Sequence, residues 1–124
     1  MSVEGAQKAI NAGAQGIVVS NHGGRVLDGT PATASVLEEI ADQFKGQVKI
    51  IVDGGIRSGL DVFKALALGA DAVIIARPFV NMIYGNGEQG LEAYVQQLGQ
   101  ELENTMMMTG VSSLKEISKK NIYK

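Results

Sequence analysis

The chain contains 124 residues, enough for one domain, and 45% of them are hydrophobic, so it can form a packed core. Its net charge is −2, it has no basic run and its aromatic residues are few, which argues against nucleic acid as the main partner. Cysteine is absent and there is 1 histidine, which excludes disulfides, thiolate nucleophiles and multi-histidine metal sites within one chain. The N-terminus is polar and the apolar runs are too short for a membrane span, so we expect a soluble, cytoplasmic protein.

Helical and strand-like patterns alternate along the chain. In order, they predict a helix over 3–12, a strand over 16–20, a helix over 33–44, a strand over 48–53, a helix over 58–68, a strand over 72–76 and a helix from about 87 to 108. Ser58 and Asp61 are spaced as a capping box at the start of the third helix. The strand segments are nearly continuously apolar, which is typical of parallel strands covered on both faces.

A weak internal repeat supports this organisation. Residues 12–19 (A-G-A-Q-G-I-V-V) and 68–75 (L-G-A-D-A-V-I-I) each combine a helix end, a glycine turn and a strand. Repeated β/α units are typical of a (β/α)8 TIM barrel or a doubly wound sheet. Because a complete barrel needs about 250 residues, we predict an α/β fold that is a partial TIM barrel, with about three parallel strands and flanking helices in a single segment over 1–124.

Three polar segments follow the predicted strands. They read S-N-H-G-G-R (20–25), D-G-G-I-R-S-G (53–59) and A-R-P-F (76–79). The carboxyl ends of parallel strands meet at one edge of a sheet, and functional groups of α/β barrels gather there. The site is therefore expected at this edge.

The second segment has the composition of a phosphate-binding turn. Gly54 and Gly55 let the backbone approach an anion, Arg57 adds a forked donor, and the amides of the helix after Ser58 are expected to point toward the anion. Arg77, in the third segment, offers a second guanidinium. The alternative is that the glycines only form tight turns and the arginines face solvent, but two arginines at adjacent strand ends favour an anion.

The first segment holds His22 and Arg25. An imidazole is suited to act as a base, and a nearby arginine is suited to bind a carboxylate through two parallel hydrogen bonds. Taken alone, a single histidine beside an apolar run is more often a structural residue of a loop or core.

Together the segments resemble the FMN-dependent α-hydroxy acid oxidases and dehydrogenases, a family that includes glycolate oxidase and lactate oxidase. The resemblance rests on S-N-H-G-G-R-x-L-D, on D-G-G-I-R-S-G-x-D-V-x-K-A-L-A-L-G-A-D-A-V and on R-P-F. It covers nearly the whole chain and matches strands six to eight of that family's barrel. The second motif is shared with IMP dehydrogenase, but that enzyme needs a catalytic cysteine, and the His-Gly-Gly-Arg segment separates the two.

The resemblance implies FMN as cofactor and a small 2-hydroxy acid, such as lactate or glycolate, as substrate. It implies that His22 is the base that removes a proton from the substrate and that Arg25 binds the substrate carboxylate. The implied cofactor-binding residues are Ser20 and His22 beside the flavin, and Asp53, Gly54, Gly55, Ile56, Arg57, Ala76 and Arg77 along the ribityl-phosphate chain.

The chain departs from the family in two positions: Ala76 stands where glycine is usual, and Val26 where glutamine is common. The family's lysine near the flavin, its aspartate partner of the base and its substrate-contacting tyrosines belong to earlier strands, so we expect little or no activity from the isolated chain. The alternative hypothesis is an incomplete FMN- or phosphate-binding module that self-associates or completes a barrel with a separate N-terminal segment. A nicotinamide-binding Rossmann unit is disfavoured because no G-x-G-x-x-G follows the first strand.

Overall fold

The computed structural model describes residues 1–123 and has the predicted alternation of helices and strands. Its main elements are α1 (Val3–Asn11), β1 (Gly16–Val19), α2 (Thr33–Phe44), β2 (Lys49–Val52), α3 (Gly59–Ala67), β3 (Ala72–Val73) and α4 (Arg77–Met108). Short 3-10 turns lie at His22–Gly24, Leu114–Glu116 and Lys119–Asn121. No helix within the described residues combines the length and apolar character needed to cross a bilayer.

The three strands form one parallel sheet in the order β1-β2-β3. Val19 is paired with Val52, and Val52 in turn with Val73, so the carboxyl ends of the strands meet at one edge, as predicted. The third strand is shorter than the predicted 72–76. The Ile74 amide donates to the Val52 carbonyl at 2.9 Å, and because β2 ends at Val52, the chain beyond has no ladder partner there.

One face of the sheet is covered by helices. Ile50 and Val52 are buried there in a cluster with residues of α1, α2 and α3, such as Leu37 of α2. On the opposite face, Val18 is 50% exposed and Ile74 is 42% exposed. The prediction that both faces are covered is therefore wrong for the described residues, because their helices pack on one side of the sheet.

Helix α4 begins earlier than the predicted start near residue 87. Pro78 lies in its first turn, where a missing amide hydrogen costs nothing. The helix is interrupted at Asn86 and Gly87, whose backbone angles are not helical. Glycine at the predicted start thus marks a break inside a longer element.

A second cluster joins the outer helices to the C-terminal segment. Phe63 and Ala67 of α3 pack with Val111 and Ile117, and partly buried residues of α4 border them. The capping box predicted at the start of α3 is confirmed, since Ser58 Oγ accepts the Asp61 amide hydrogen at 3.1 Å while Asp61 accepts from the Ser58 amide. These contacts hold α3, and with it the turn before it, at the edge of the sheet.

Candidate functional site

A cavity of about 610 Å³ lies at the carboxyl edge of the sheet. All three strand ends contribute to it, and its lining includes the predicted site residues His22, Arg25, Asp53, Gly54, Gly55, Ile56, Arg57, Ala76 and Arg77. Ser20 is bonded to this group through its hydrogen bond to Asp53. The volume is in the range of sites for cofactors and small ligands.

The turn after β1 holds His22 in a constrained backbone conformation. His22 has a φ of 53°, and among the described residues it is the one non-glycine residue with a positive φ. Its amide donates to Ser20 Oγ at 3.1 Å, and the next amide, of Gly23, donates to Asn21 Oδ1 at 3.0 Å. Strained backbone of this kind persists where surrounding bonds enforce it, and it is concentrated at functional sites.

His22 and Arg25 are both exposed and both line the cavity. The Arg25 amide donates to the His22 carbonyl at 3.3 Å, so the two residues belong to one hydrogen-bonded turn. A base and a guanidinium are thereby presented from the same short segment. The pair can bind a carboxylate and place a neighbouring hydroxyl near an imidazole.

Asp53 connects the first two strand ends. Its Oδ2 atom accepts a hydrogen bond from Ser20 Oγ at 2.8 Å, and its backbone carbonyl accepts one from Thr33 Oγ1 at 2.6 Å. Its Oδ1 atom is buried and has no hydrogen-bond partner within residues 1–123. A buried acceptor without a partner is costly, so this oxygen is suited to receive a hydroxyl donor from a ligand.

The two glycines after Asp53 expose their backbone to the cavity. Gly54 has a φ of 85° and Gly55 a φ of 82°, a left-handed conformation that favours glycine. A Cβ atom on Gly54 would lie 3.3 Å from Asn21 Oδ1, whereas one on Gly55 would stand in open space. A ligand can therefore approach the Gly55 backbone closely.

The amides at the start of α3 do not form the anion site that the sequence suggests. The Arg57 and Ser58 amides donate to Asp61 Oδ2 at 3.0 and 3.1 Å, and the Gly59 amide donates to Glu101 Oε2 at 2.7 Å. Two carboxylates of the protein already neutralise this end of the helix dipole. The prediction that the amides at the start of α3 point toward a bound anion is therefore wrong.

Hydrogen bonds keep Glu101 ionised at this position. Donation from the Gln97 side chain and then from the Gly59 amide lowers the pKa of Glu101 below its ordinary value of 4.5. A carboxylate is the form that accepts both bonds. The negative charge at the start of α3 is thus supplied by Asp61 of α3 and Glu101 of α4.

The helix start that does face the cavity belongs to α4. Its N-cap residue, Ala76, makes no side-chain capping bond, and Ala76, Arg77 and Pro78 all line the cavity. Ala76 has a φ of −115°, which alanine adopts without strain. The signal for this feature was Pro78, a residue common in the first turn of helices.

Arg77 brings the third strand end against the first. A Cβ atom on Gly23 would lie 3.1 Å from Arg77 Nη2, so the guanidinium packs directly on the Gly23 backbone. Arg57 lines the same cavity from the second strand end. Arg57 and Arg77 are both exposed, so their guanidinium groups are available to an anionic ligand.

Two residues of this site, Thr33 and Tyr94, were not assigned to it from the sequence. Thr33 is the one buried polar residue among those described, and it holds the Asp53 carbonyl. Tyr94 lies 37 residues from Arg57 in the chain, yet its hydroxyl donates to the Arg57 carbonyl at 2.7 Å. No local pattern marks either residue, because each acts across a long stretch of chain.

Curated relatives match almost the entire chain. It is 46% identical over 119 residues to a peroxisomal (S)-2-hydroxyacid oxidase of Arabidopsis thaliana and 48% identical over 122 residues to the glycolate oxidase of Spinacia oleracea. These matches cover 96% and 98% of the chain. The chain spans about a third of the length of these relatives, since 33% of each is covered.

Solved structures agree in fold with the described residues. A lactate oxidase from Pediococcus acidilactici superimposes with a TM-score of 0.91 at 46% identity, covering 95% of this chain and 33% of that one. A mandelate oxidase with benzoyl-formic acid superimposes with a TM-score of 0.90 at 44% identity, covering 93% of this chain and 34% of that one. The predicted partial TIM barrel is confirmed by these likenesses.

The model of one protein family also matches, over residues 1–124, and its description is FMN-dependent dehydrogenase. That match covers all three strand ends that line the cavity. The chain belongs to the FMN-dependent dehydrogenase family.

Proposed function

We propose that this chain is the C-terminal part of an FMN-dependent enzyme that oxidises a small 2-hydroxy acid, such as glycolate or lactate, to the 2-oxo acid. The observation that supports the proposal is that one cavity is lined by an imidazole and three guanidinium groups, those of His22, Arg25, Arg57 and Arg77. The names of the relatives, which include 2-hydroxyacid, glycolate and lactate oxidases, support the substrate class.

The residues present fit FMN. Arg57, Arg77 and the uncapped start of α4 suit its phosphate group, and the exposed backbone of Gly55 permits a close approach. The unpartnered Asp53 Oδ1 suits a ribityl hydroxyl, which would donate the missing hydrogen bond. When bound, FMN supplies the acceptor for the two electrons that leave the substrate.

The first strand end supplies the groups that act on the substrate. Arg25 binds the carboxylate, and an imidazole nitrogen of His22 takes a proton from the 2-hydroxy acid. The oxidation removes two electrons and two protons from the hydroxy acid: His22 would take one proton, and the other proton would leave with the two electrons toward FMN when it is bound. The turn that carries the imidazole has a positive φ at His22, and the hydrogen bond from the His22 amide to Ser20 Oγ holds it in place.

A flavin titration tests the cofactor part of this proposal. We expect the full chain to bind FMN, and the quenching of flavin fluorescence measures this binding. Arg77→Ala should weaken FMN binding by about tenfold to a hundredfold, the cost of a charge-assisted hydrogen bond. Arg25→Ala is the matched control and should leave FMN affinity unchanged, because its proposed ligand is the substrate. Absence of FMN binding by the unsubstituted chain, or equal losses in both variants, would contradict the proposal.

A second candidate function, an incomplete module that associates with further barrel segments, is favoured by the open face of the sheet. Val18 and Ile74 are 50% and 42% exposed there. An apolar sheet face of this kind is typically covered by protein. In this case the chain alone would bind flavin but would turn over 2-hydroxy acids very slowly. The reason is that it spans only about a third of the length of its relatives.

A further inference from the structure

A hydrogen bond between Tyr94 and Arg57 joins α4 to the turn before α3. Tyr94 lies in the middle of α4 and is 7% exposed, whereas Arg57 lies in the turn between β2 and α3. The Tyr94 hydroxyl donates to the Arg57 carbonyl at 2.7 Å. Since the bond is made to the backbone of a cavity-lining turn, it acts on the position of the Arg57 residue and leaves its guanidinium free.

The ring of Tyr94 contacts the third strand end as well. It packs edge to face against Phe79, with ring centroids 5.4 Å apart and an interplanar angle of 75°. Phe79 lies in the first turn of α4, two positions after Arg77. One side chain therefore touches both segments that carry the guanidinium groups.

The phenol is in the form that can donate. Burial, with smaller contributions from the Glu101 and Asp61 carboxylates, raises the pKa of Tyr94 above its ordinary value of 10.0. The hydroxyl is therefore protonated throughout the neutral range. Tyr94 also lines the cavity itself.

We propose that Tyr94 is a positioning residue, which sets the Arg57 turn and the start of α4 relative to each other so that Arg57 and Arg77 can bind one phosphate group. The inference rests on the proposed FMN site and adds a residue to it. Its physical basis is that two guanidinium groups share a phosphate only if their backbones are held at a suitable separation. Tyr94 is the side chain that bonds to one of these segments and packs on the other.

The test compares FMN with riboflavin, which lacks the phosphate. Tyr94→Phe removes the hydroxyl and keeps the ring, so its contact with Phe79 is preserved. In the full chain, FMN affinity should fall between about threefold and tenfold, the effect of one buried hydrogen bond, while riboflavin affinity should not change. A role confined to stability would weaken both flavins equally, and that result would overturn the inference.

Tyr84→Phe is the matched control. Tyr84 lies on the same helix but is 89% exposed, and its substitution should leave both affinities unchanged. If Tyr84→Phe reproduces the loss of FMN affinity, the inference is wrong. If the unsubstituted chain binds FMN no better than riboflavin, the proposed phosphate site is wrong, and the inference about Tyr94 is wrong with it. If the unsubstituted chain prefers FMN and Tyr94→Phe binds FMN equally well, only the inference about Tyr94 is wrong.

A measurement on the unsubstituted chain covers the case in which Tyr94→Phe does not fold. Inorganic phosphate is added to isotope-labelled protein, and the NMR resonances of the Arg57 and Arg77 side chains and of the Tyr94 ring are followed. We expect the three to shift with a common dissociation constant. Shifts at the arginines with none at Tyr94 would overturn the inference.

Discussion

At the scale of single residues, the site depends on side chains that bond to backbone. Thr33 holds the Asp53 carbonyl, Tyr94 holds the Arg57 carbonyl, and Ser20 accepts the His22 amide hydrogen. Each bond is made to a backbone atom of a cavity-lining residue. The side chains of His22 and Arg57 take no part in these bonds, whereas the Asp53 side chain also accepts from Ser20 Oγ. The side chains of His22 and Arg57 are thus exposed although the backbone of each is hydrogen-bonded to another side chain.

Gly55 offers a residue-scale prediction. With a φ of 82° and open space at its missing Cβ atom, Gly55→Ala should destabilise the fold by about 1 to 2 kcal/mol through backbone strain and also weaken FMN binding by about tenfold. Denaturant unfolding and a flavin titration measure the two effects.

Gly46→Ala is the matched control for this substitution. Gly46 has a φ of 89°, also with open space around it, but lies in the turn between α2 and β2 and outside the cavity lining. It should show the same loss of stability with unchanged FMN affinity. Equal affinity losses in the two variants would show that backbone strain, not the approach of a ligand to Gly55, explains the result.

At the scale of elements, α3 and α4 are joined through the start of α3. The Gly59 amide donates to Glu101, and a Cβ atom on Gly59 would lie 2.3 Å from the Leu102 backbone nitrogen and 2.5 Å from the Leu98 carbonyl oxygen. Glycine here permits helix contact at backbone distance. The same contact explains why the start of α3 is closed to anions, since α4 already supplies the carboxylate.

Gly59→Ala should therefore separate the two helices. The added methyl group meets backbone atoms that cannot rotate away, so we expect a loss of about 1 to 3 kcal/mol in the free energy of unfolding. Gly99→Ala, on α4 with nothing within 4 Å of the new Cβ atom, should instead be neutral or stabilise by up to about 1 kcal/mol through helix propensity. Denaturant unfolding of both variants checks this, and an unchanged stability of Gly59→Ala would contradict the close contact.

At the scale of the whole molecule, the sheet has one covered face and one open face. Val19 and Val52 are buried against the helices, while Val18 on the edge strand β1 is 50% exposed. Exposed apolar residues on an edge strand favour association with further chain. The structure thus presents its cavity beside an apolar surface suited to additional barrel segments.

Val18→Lys tests that surface. We expect the unsubstituted chain to self-associate with rising concentration and Val18→Lys to shift it toward the monomer, as measured by sedimentation velocity, because a buried lysine opposes association. Val95→Lys is the control, since Val95 is 52% exposed but lies on α4, away from the sheet. A monomeric unsubstituted chain, or the same effect from both variants, would contradict association through the sheet.

The order of helices and strands, the capping box at Ser58 and the family all follow from the amino-acid sequence, because periodicity, caps and motifs depend on residues close together in the chain. The sequence also predicted which strand ends would meet, since the carboxyl ends of parallel strands lie at the same edge of a sheet. The packing of α3 against α4 was needed to show that Glu101 closes the start of α3 while the start of α4 faces the cavity. The same holds for the bond from Tyr94 to the Arg57 carbonyl, 37 residues away. Such contacts depend on how segments far apart in the chain pack together, and no local sequence pattern predicts that packing.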